Sequence, residues 1–314
     1  MAKGRKISIL GAGSVGATIA YTLAVQGIAS EIVLIDIKKE KAVGEADDII
    51  QGAQFIRPFN IYYGEYADAA DSDIVIFTLG LPRKPGMTRI DLVNTNTDIF
   101  KSVVPPTVKA APDAIYVIVS NPVDIMTYVV AKLSQLPPKR IIGSGTLLDT
   151  ARLRSILGAR IGVSVDNIDA YVLAEHGDTS FIPWSLSSIF GIPATEYVEN
   201  IYGEKSKAWK DEVIDDVRKA GGRVIANKGA TFFAVSLSAC DICKNILNNT
   251  NTYLPVGGLL DGQYGVSDIV LSLPFAVGDK GITGGLTPKF TPDEEALFVK
   301  SAEALKAVCK GLKI

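Results

Sequence analysis

Ile7-Ser8-Ile9-Leu10-Gly11-Ala12-Gly13-Ser14-Val15-Gly16 decides the fold. A four-residue run of β type, three of its residues apolar, meets glycines spaced G-x-G-x-x-G, and a helical pattern over residues 15–26 follows at once. In a strand–turn–helix setting the first glycine allows the tight turn. The second lets the main chain approach a pyrophosphate, and the third lets the helix pack on the strand. The helix N-terminus adds unpaired N–H groups and the positive end of its dipole. Alone, the pattern also suits an ordinary glycine-rich turn. Asp36, about twenty residues past Gly16 and closing the next apolar run, turns it into a dinucleotide site. A carboxylate there accepts both ribose hydroxyls and repels a 2′-phosphate, which favours NAD over NADP.

Outward from this turn, strand and helix patterns alternate. Apolar runs at 7–10, 31–36, 60–63, 73–79, 115–119 and 140–142 lack polar alternation, as expected of strands covered on both faces. Helical patterns lie near 15–26, 39–50, 91–110 and 122–135. The expectation is an α/β protein whose residues 1–145 form a Rossmann-type, doubly wound parallel sheet. Beyond Gly145 the texture changes. Helical patterns at 148–161, 204–228 and 231–248 surround Gly- and Pro-rich runs, and 266–275 and 279–286 read as antiparallel strands. Thr291-Pro292-Asp293-Glu294 is a helix-start signal, and Ala296, Leu297, Ala302, Leu305, Val308 and Leu312 give the tail one apolar face. Residues 146–314 therefore read as an α+β substrate domain, joined without a low-complexity linker.

Composition narrows the function. The chain has 314 residues, 47% apolar, with 34 acidic against 32 basic side chains, long enough for two domains with a sizeable core. Balanced charge leaves no basic face for nucleic acid or an anionic membrane. No apolar run approaches the ~20 residues that span a bilayer. Three cysteines, Cys240, Cys243 and Cys309, make no paired framework and point to a reducing compartment. The basic start and apolar residues 7–27 imitate a secretory signal, but Gly11, Gly13 and Gly16 interrupt it; a mature cytoplasmic protein is expected.

The chain contains one histidine, in Ala174-Glu175-His176-Gly177-Asp178-Thr179, just after the apolar run 170–173 that reads as a strand. Asp149 and Arg152, three apart in a helical pattern, share one helix side. Arg83-Lys84-Pro85-Gly86-Met87-Thr88-Arg89 reads as a loop after the strand 73–79. Separately each has a plain account: a solvated histidine, a surface ion pair and a charged turn.

Together these segments resemble the L-lactate/malate dehydrogenase family over essentially the whole chain. The matching pieces are GAGSVG with Asp36, RKPGMTRIDL at 83–92, VSNPVD at 119–124, GSGTLLDTARLR at 143–154, EHGDT at 175–179 and NKGAT at 227–231. The resemblance implies an NAD-dependent 2-hydroxy acid dehydrogenase in which His176 is the general acid/base and Asp149 holds its other ring nitrogen. Arg152 would grip the substrate carboxylate in a two-point fork, and Arg89 would polarise the reacting C=O on loop closure. Asn121 would bond near the reacting oxygen and the nicotinamide, and Thr231 would line the pocket. Gly11, Gly13, Ser14, Val15, Gly16, Asp36, Thr78, Gly80, Val119 and Asn121 would bind the cofactor, with no metal required. The family forms dimers and tetramers, and the lactate-like body points to a homotetramer.

Specificity divides the reading. In the family, the position of Arg83 faces the substrate group beyond the reacting carbon; lactate enzymes usually carry Gln there and malate enzymes Arg. Together with Met87, where lactate enzymes commonly place Glu, this ranks oxaloacetate/L-malate first and pyruvate/L-lactate second. GSGTLLDTARLR, AEHGDTSFIPWS and the Thr231 region are lactate-like and oppose that ranking. Activation by fructose 1,6-bisphosphate in bacterial lactate dehydrogenases uses an Arg with a His; Arg154 matches the first and Asp169 replaces the second, so no such activation is expected. Cys240 and Cys243 fall in an apolar helical run and read as buried small hydrophobes, not a zinc or redox pair. NAD-dependent glycosidases need a Cys/His metal cluster that this sequence lacks. A non-enzymatic NAD-binding protein would not need His176, Asp149, Arg152 and Arg89 together.

Overall fold

The apolar runs of the first half become parallel strands. The computed structural model describes residues 5–81 and 89–314, with Arg89 in its main chain only. Arg83, Met87 and the Arg89 side chain therefore lie outside the described residues. The first half runs β1 (Lys6–Leu10), α1 (Ser14–Val25), β2 (Glu31–Ile35), α2 (Lys39–Gln51), β3 (Asn60–Tyr63), β4 (Ile74–Phe77), α3 (Arg89–Ala110), β5 (Ile115–Ile118), α4 (Val123–Ser134) and β6 (Ile141–Gly143). β1 pairs in parallel with β2 and β4, β2 with β3, β4 with β5 and β5 with β6. The order is therefore 3-2-1-4-5-6, and it reverses between β1 and β4, where a doubly wound sheet opens a crevice at its carboxyl edge. Every residue of β4 and β5 is buried. Each such Ile or Val contributes roughly 1.5–3 kcal/mol by leaving water.

The second half holds α5 (Leu147–Ile161), β7 (Ile168–Asp169), β8 (Ser188–Ile189), β9 (Ile192–Pro193), α6 (Ala194–Tyr202), α7 (Ser206–Lys228), α8 (Phe233–Leu247), β10 (Thr252–Gln263), β11 (Val266–Gly278), β12 (Gly281–Gly285) and α9 (Pro292–Cys309). The large sheet does not stop at β6. β10 adds to it antiparallel through the pair Gly257 and Gly143, and β11 and β12 extend it to nine strands. A Cβ on Gly257 would stand 3.4 Å from the Gly143 Cα, so paired glycines let the two halves meet main chain to main chain. A second core, with Leu153, Leu157, Trp209, Val213 and Val217, packs α5 against α7.

Some elements depart from expectation. β10 and α6 go unread because Pro255, Gly257 and Gly258 dilute the strand signal and α6 has only 9 residues. Residues 170–173 are not a strand; only Leu173 pairs there, in a single bridge to Phe181. Side chains near the start of α5 satisfy their main chain instead: Thr150 Oγ1 accepts the Val172 N–H at 3.0 Å, and Thr146 Oγ1 donates to the Val172 carbonyl at 2.5 Å. The helix-start signal is realised as a capping box, with Thr291 Oγ1 accepting from the Glu294 N–H and Glu294 from the Thr291 N–H. Cys240 and Cys243 are free thiols fully buried in α8. Among the described residues no helix is long and apolar enough to cross a membrane.

Gly145 has φ +52°, and an added Cβ would lie 2.4 Å from Ser272 Oγ and 2.5 Å from the Gly257 nitrogen. Gly162, at φ +72°, has nothing within 4 Å of that position. Gly145→Ala is expected to lower the unfolding free energy by about 3 kcal/mol or more, and Gly162→Ala by about 1 kcal/mol. Urea denaturation of both variants checks the contrast, and equal losses would contradict it.

Candidate active site

The glycine turn is tight enough to demand its residues. Gly11 has φ +105° and donates its N–H to the Ile35 carbonyl at 2.7 Å. A Cβ on Gly16 would stand 1.8 Å from the Gly11 carbonyl oxygen, so only glycine lets α1 start this close to the turn. Gly13 is exposed, with nothing within 4 Å of where a Cβ would point. Behind it α1 begins without a side-chain cap and without an acid in its first turn, which leaves its positive end open to an anion. Ser14 is exposed there, and the Val15 carbonyl accepts the Ser236 hydroxyl of α8 at 3.3 Å. Asp36, just past β2, accepts the Ala12 N–H at 2.6 Å and the Lys38 N–H at 2.8 Å. Each of its oxygens keeps a lone pair for a ribose hydroxyl. This cradle fits the pyrophosphate and ribose of NAD. Ile37 beside it, passed over by sequence reasoning, is 99% exposed and puts an apolar wall at the rim.

The remaining cofactor candidates line the carboxyl ends of β4 and β5. Thr78 Oγ1 donates to the Gly11 carbonyl at 2.9 Å, and Gly80 follows at φ +136°. The Val119 N–H donates to the Phe77 carbonyl at 2.9 Å. Fully buried Asn96, which sequence reasoning also misses, accepts the Leu81 N–H at 2.9 Å and donates to the Asn121 carbonyl at 3.1 Å. One amide thus ties the loop after β4 to the loop after β5.

His176 joins this edge from the other half of the chain. Its Nδ1 bonds Asp149 Oδ2 at 2.5 Å, and Asp149 Oδ1 accepts from Arg152 Nη1 at 2.9 Å. Asp149 and Arg152 are therefore not a surface pair; their side chains are 11% and 20% exposed. Burial disfavours the imidazolium, but the Asp149 charge and hydrogen bond outweigh it and hold the His176 pKa above its ordinary value. Burial would likewise raise Asp149, yet His176 and Arg152 together hold it below the usual carboxylate range. Among the described residues nothing bonds His176 Nε2, which is left for a ligand. Gly221 of α7 makes room for the guanidinium: a Cβ there would meet Arg152 Nη2 at 3.4 Å. Thr231 is half-buried between α7 and α8, and no hydrogen bond among the described residues links it to these groups. Arg154 donates to the Ala170 carbonyl at 3.1 Å and lies 5.1 Å over the Tyr171 ring, while Asp169 is exposed on β7. Arg83 and the Arg89 side chain lie outside the described residues.

Such a group of side chains can exchange one proton at Nε2 while a guanidinium orients an anion beside it. Comparison with known proteins places the chain in a family. Residues 5–143 match the family model for the lactate/malate dehydrogenase NAD-binding domain, and residues 146–313 match that for the lactate/malate dehydrogenase alpha/beta C-terminal domain. The chain is 46% identical over 310 residues to the L-lactate dehydrogenase of Acetivibrio thermocellus, covering 99% of this chain and 98% of that one. It is 47% identical to that of Thermoanaerobacter pseudethanolicus, covering 98% and 99% respectively. Among solved structures it superposes with a TM-score of 0.95, at 38% identity and 99% coverage of both chains, on the minor L-lactate dehydrogenase of Enterococcus mundtii in its ligands-bound form.

Asp36→Ser is expected to weaken NADH binding about tenfold or more, because a charged acceptor for two hydroxyls is lost. It should also narrow the preference for NADH over NADPH. Fluorescence titration with both nucleotides measures this; unchanged affinity and preference would remove Asp36 from the site.

Proposed function

Because the chain belongs to the lactate/malate dehydrogenase family, and so is an NAD-dependent oxidoreductase acting on CH–OH, we propose that it interconverts pyruvate and L-lactate. The observation that carries the chemistry is the His176–Asp149–Arg152 arrangement. Bound NAD supplies the hydride chemistry, held by the Gly11–Gly16 turn and Asp36. His176 Nε2 gives its proton to the substrate oxygen in reduction and takes it back in oxidation. Asp149 fixes the ring through Nδ1 and steadies the imidazolium. One N–H group of the Arg152 guanidinium, on Nη1, is committed to Asp149, and the remaining N–H groups are left for the substrate carboxylate, a match that Lys would not reproduce.

Pyruvate is supported by whole-chain similarity to relatives named L-lactate dehydrogenase. The first-ranked expectation, oxaloacetate, has no such support. It retains one specific feature: residue 83 is Arg, at the loop position that the family resemblance implies would face the far end of the substrate. A guanidinium closed over the methyl of pyruvate would be an unmatched charge, whereas a second carboxylate would pair with it.

Two measurements test this reading. Steady-state kinetics with NADH should give a higher kcat/KM for pyruvate than for oxaloacetate. A preference for oxaloacetate that Arg83→Gln abolishes would replace pyruvate by the dicarboxylate. The pH profile tests the histidine. Reduction needs the imidazolium, so kcat/KM for the oxo acid should fall as pH rises through the raised His176 pKa. Oxidation needs the neutral ring, so its kcat/KM should rise over the same interval. Profiles that do not oppose each other would contradict a histidine proton carrier.

A further inference from the structure

The loop that carries His176 is tied at both ends. Upstream, Ala174 has φ +74°, a left-handed conformation that a residue with a Cβ keeps only when its surroundings hold it. Its N–H and its carbonyl each bond the main chain of Ser272 in β11 at 3.0 Å. Downstream, the Phe181 N–H returns to the Leu173 carbonyl at 3.2 Å. Residues 175–180 lie between these ties, and the imidazole hangs from them.

Against this loop stands Ser301 of α9, which is fully buried. A hydroxyl buried in a helix can satisfy itself on the carbonyl one turn back, as Thr97, Thr107 and Thr127 do in α3 and α4. Ser301 makes no such bond among the described residues and reaches out of its helix instead. Its Oγ accepts the Glu175 N–H at 3.2 Å and lies 2.8 Å from Thr179 Oγ1. The Thr179 hydroxyl gives its one proton to Glu175 Oε2. The proton between the two hydroxyls must therefore come from Ser301. A circuit with one direction results: Glu175 N–H to Ser301, Ser301 to Thr179, and Thr179 back to the Glu175 carboxylate.

The circuit spans the histidine, with Glu175 just before it and Thr179 three residues after it. The buried Glu175 side chain folds under the loop, for a Cβ on Gly177 would stand 3.2 Å from its Cδ and Oε1. The same helix grips the chain again farther on, where Glu294 accepts the Ser185 N–H at 3.1 Å and the Ser185 hydroxyl at 2.5 Å. At the other side of the loop the imidazole meets Asp149 at 2.5 Å, a contact that weakens steeply if the loop drifts.

We propose that Ser301 is a positioning residue for His176, closing a hydrogen-bonded circuit with Glu175 and Thr179 that holds the loop where the imidazole meets Asp149. This rests on the reading of His176 as the proton carrier. Burial disfavours the imidazolium, Asp149 of α5 and Asp124 of α4 favour it, and Arg152 of α5 opposes them. Ser301 and Thr179 are neutral, so replacing either removes no charge. A titration moved by such a replacement reports where the imidazole stands.

Ser301→Ala opens the circuit from α9, Thr179→Val opens it from the loop at nearly the same side-chain shape, and Thr179→Ser leaves it closed. NADH affinity, kcat, KM and the pH profile of pyruvate reduction are measured for each full-length variant. Both opening variants should bind NADH within about twofold of wild type and lose about tenfold or more in kcat. Their alkaline limb of kcat/KM should move to lower pH by about half a unit, because an imidazole farther from Asp149 loses part of what raises its pKa. Thr179→Ser should superimpose on wild type.

A limb that stays in place in both opening variants overturns the inference, even where kcat falls, since loss of rate alone reports a structural change. A Thr179→Ser profile displaced like that of Thr179→Val also overturns it. Loss of folding in Ser301→Ala leaves the limb of Thr179→Val to decide. His176→Asn separates the two readings. If it keeps wild-type turnover, the proton-carrier reading fails; if it is inactive while the limbs of the opening variants stay in place, only the role of Ser301 falls.

Discussion

One buried carboxylate, shared between an imidazole and a guanidinium, is the interaction that the rest of the site serves. Asp149 gives Oδ2 to His176 and Oδ1 to Arg152, so the imidazole and the guanidinium are oriented by the same side chain. In a partly desolvated setting such a carboxylate is stable only while both cationic partners remain, and removal of either leaves a charge poorly compensated. The helix carrying Asp149 is itself anchored. Thr146 and Thr150 bond the main chain at Val172, four residues before His176, which keeps α5 and the histidine segment in register.

The sheet explains how groups distant in sequence meet. The glycine turn, Asp36, Thr78 and Asn121 all sit at the carboxyl edge of parallel strands, as the reversal of strand order between β1 and β4 requires. β10, β11 and β12 continue that sheet across a seam of two glycines, and Ser272 of β11 holds Ala174 in its left-handed turn. The histidine therefore reaches the cofactor edge along a continuous hydrogen-bonded framework. Gly143, Gly145 and Gly257 are the close approaches that make this possible.

What was legible in the sequence follows the range of the forces involved. The glycine turn, Asp36 and the six parallel strands are set by local periodicity and turn sterics, and they read directly. The convergence of His176, Asp149 and Arg152 is a tertiary event; spacing alone leaves them as a solvated ring and a surface pair, and only the family resemblance joins them. β10 was hidden by glycines that serve the seam instead of a strand signal, and residues 170–173 by an apolar run whose main chain bonds to threonine side chains. Asn96 looks like an ordinary helix residue until its bonds to Leu81 and Asn121 are seen. Substrate choice is a different case. Arg83 is a single loop position set against the similarity of the whole chain, and the similarity supports pyruvate where the loop residue ranks oxaloacetate first.

Because the chain has one histidine, its imidazole can be titrated by NMR without assignment, in wild type and in Asp149→Asn. The wild-type ring should titrate above the ordinary value of about 6.5, and the substitution should bring it down. A ring that titrates at or below the ordinary value, or one indifferent to Asp149→Asn, would contradict the shared-carboxylate account.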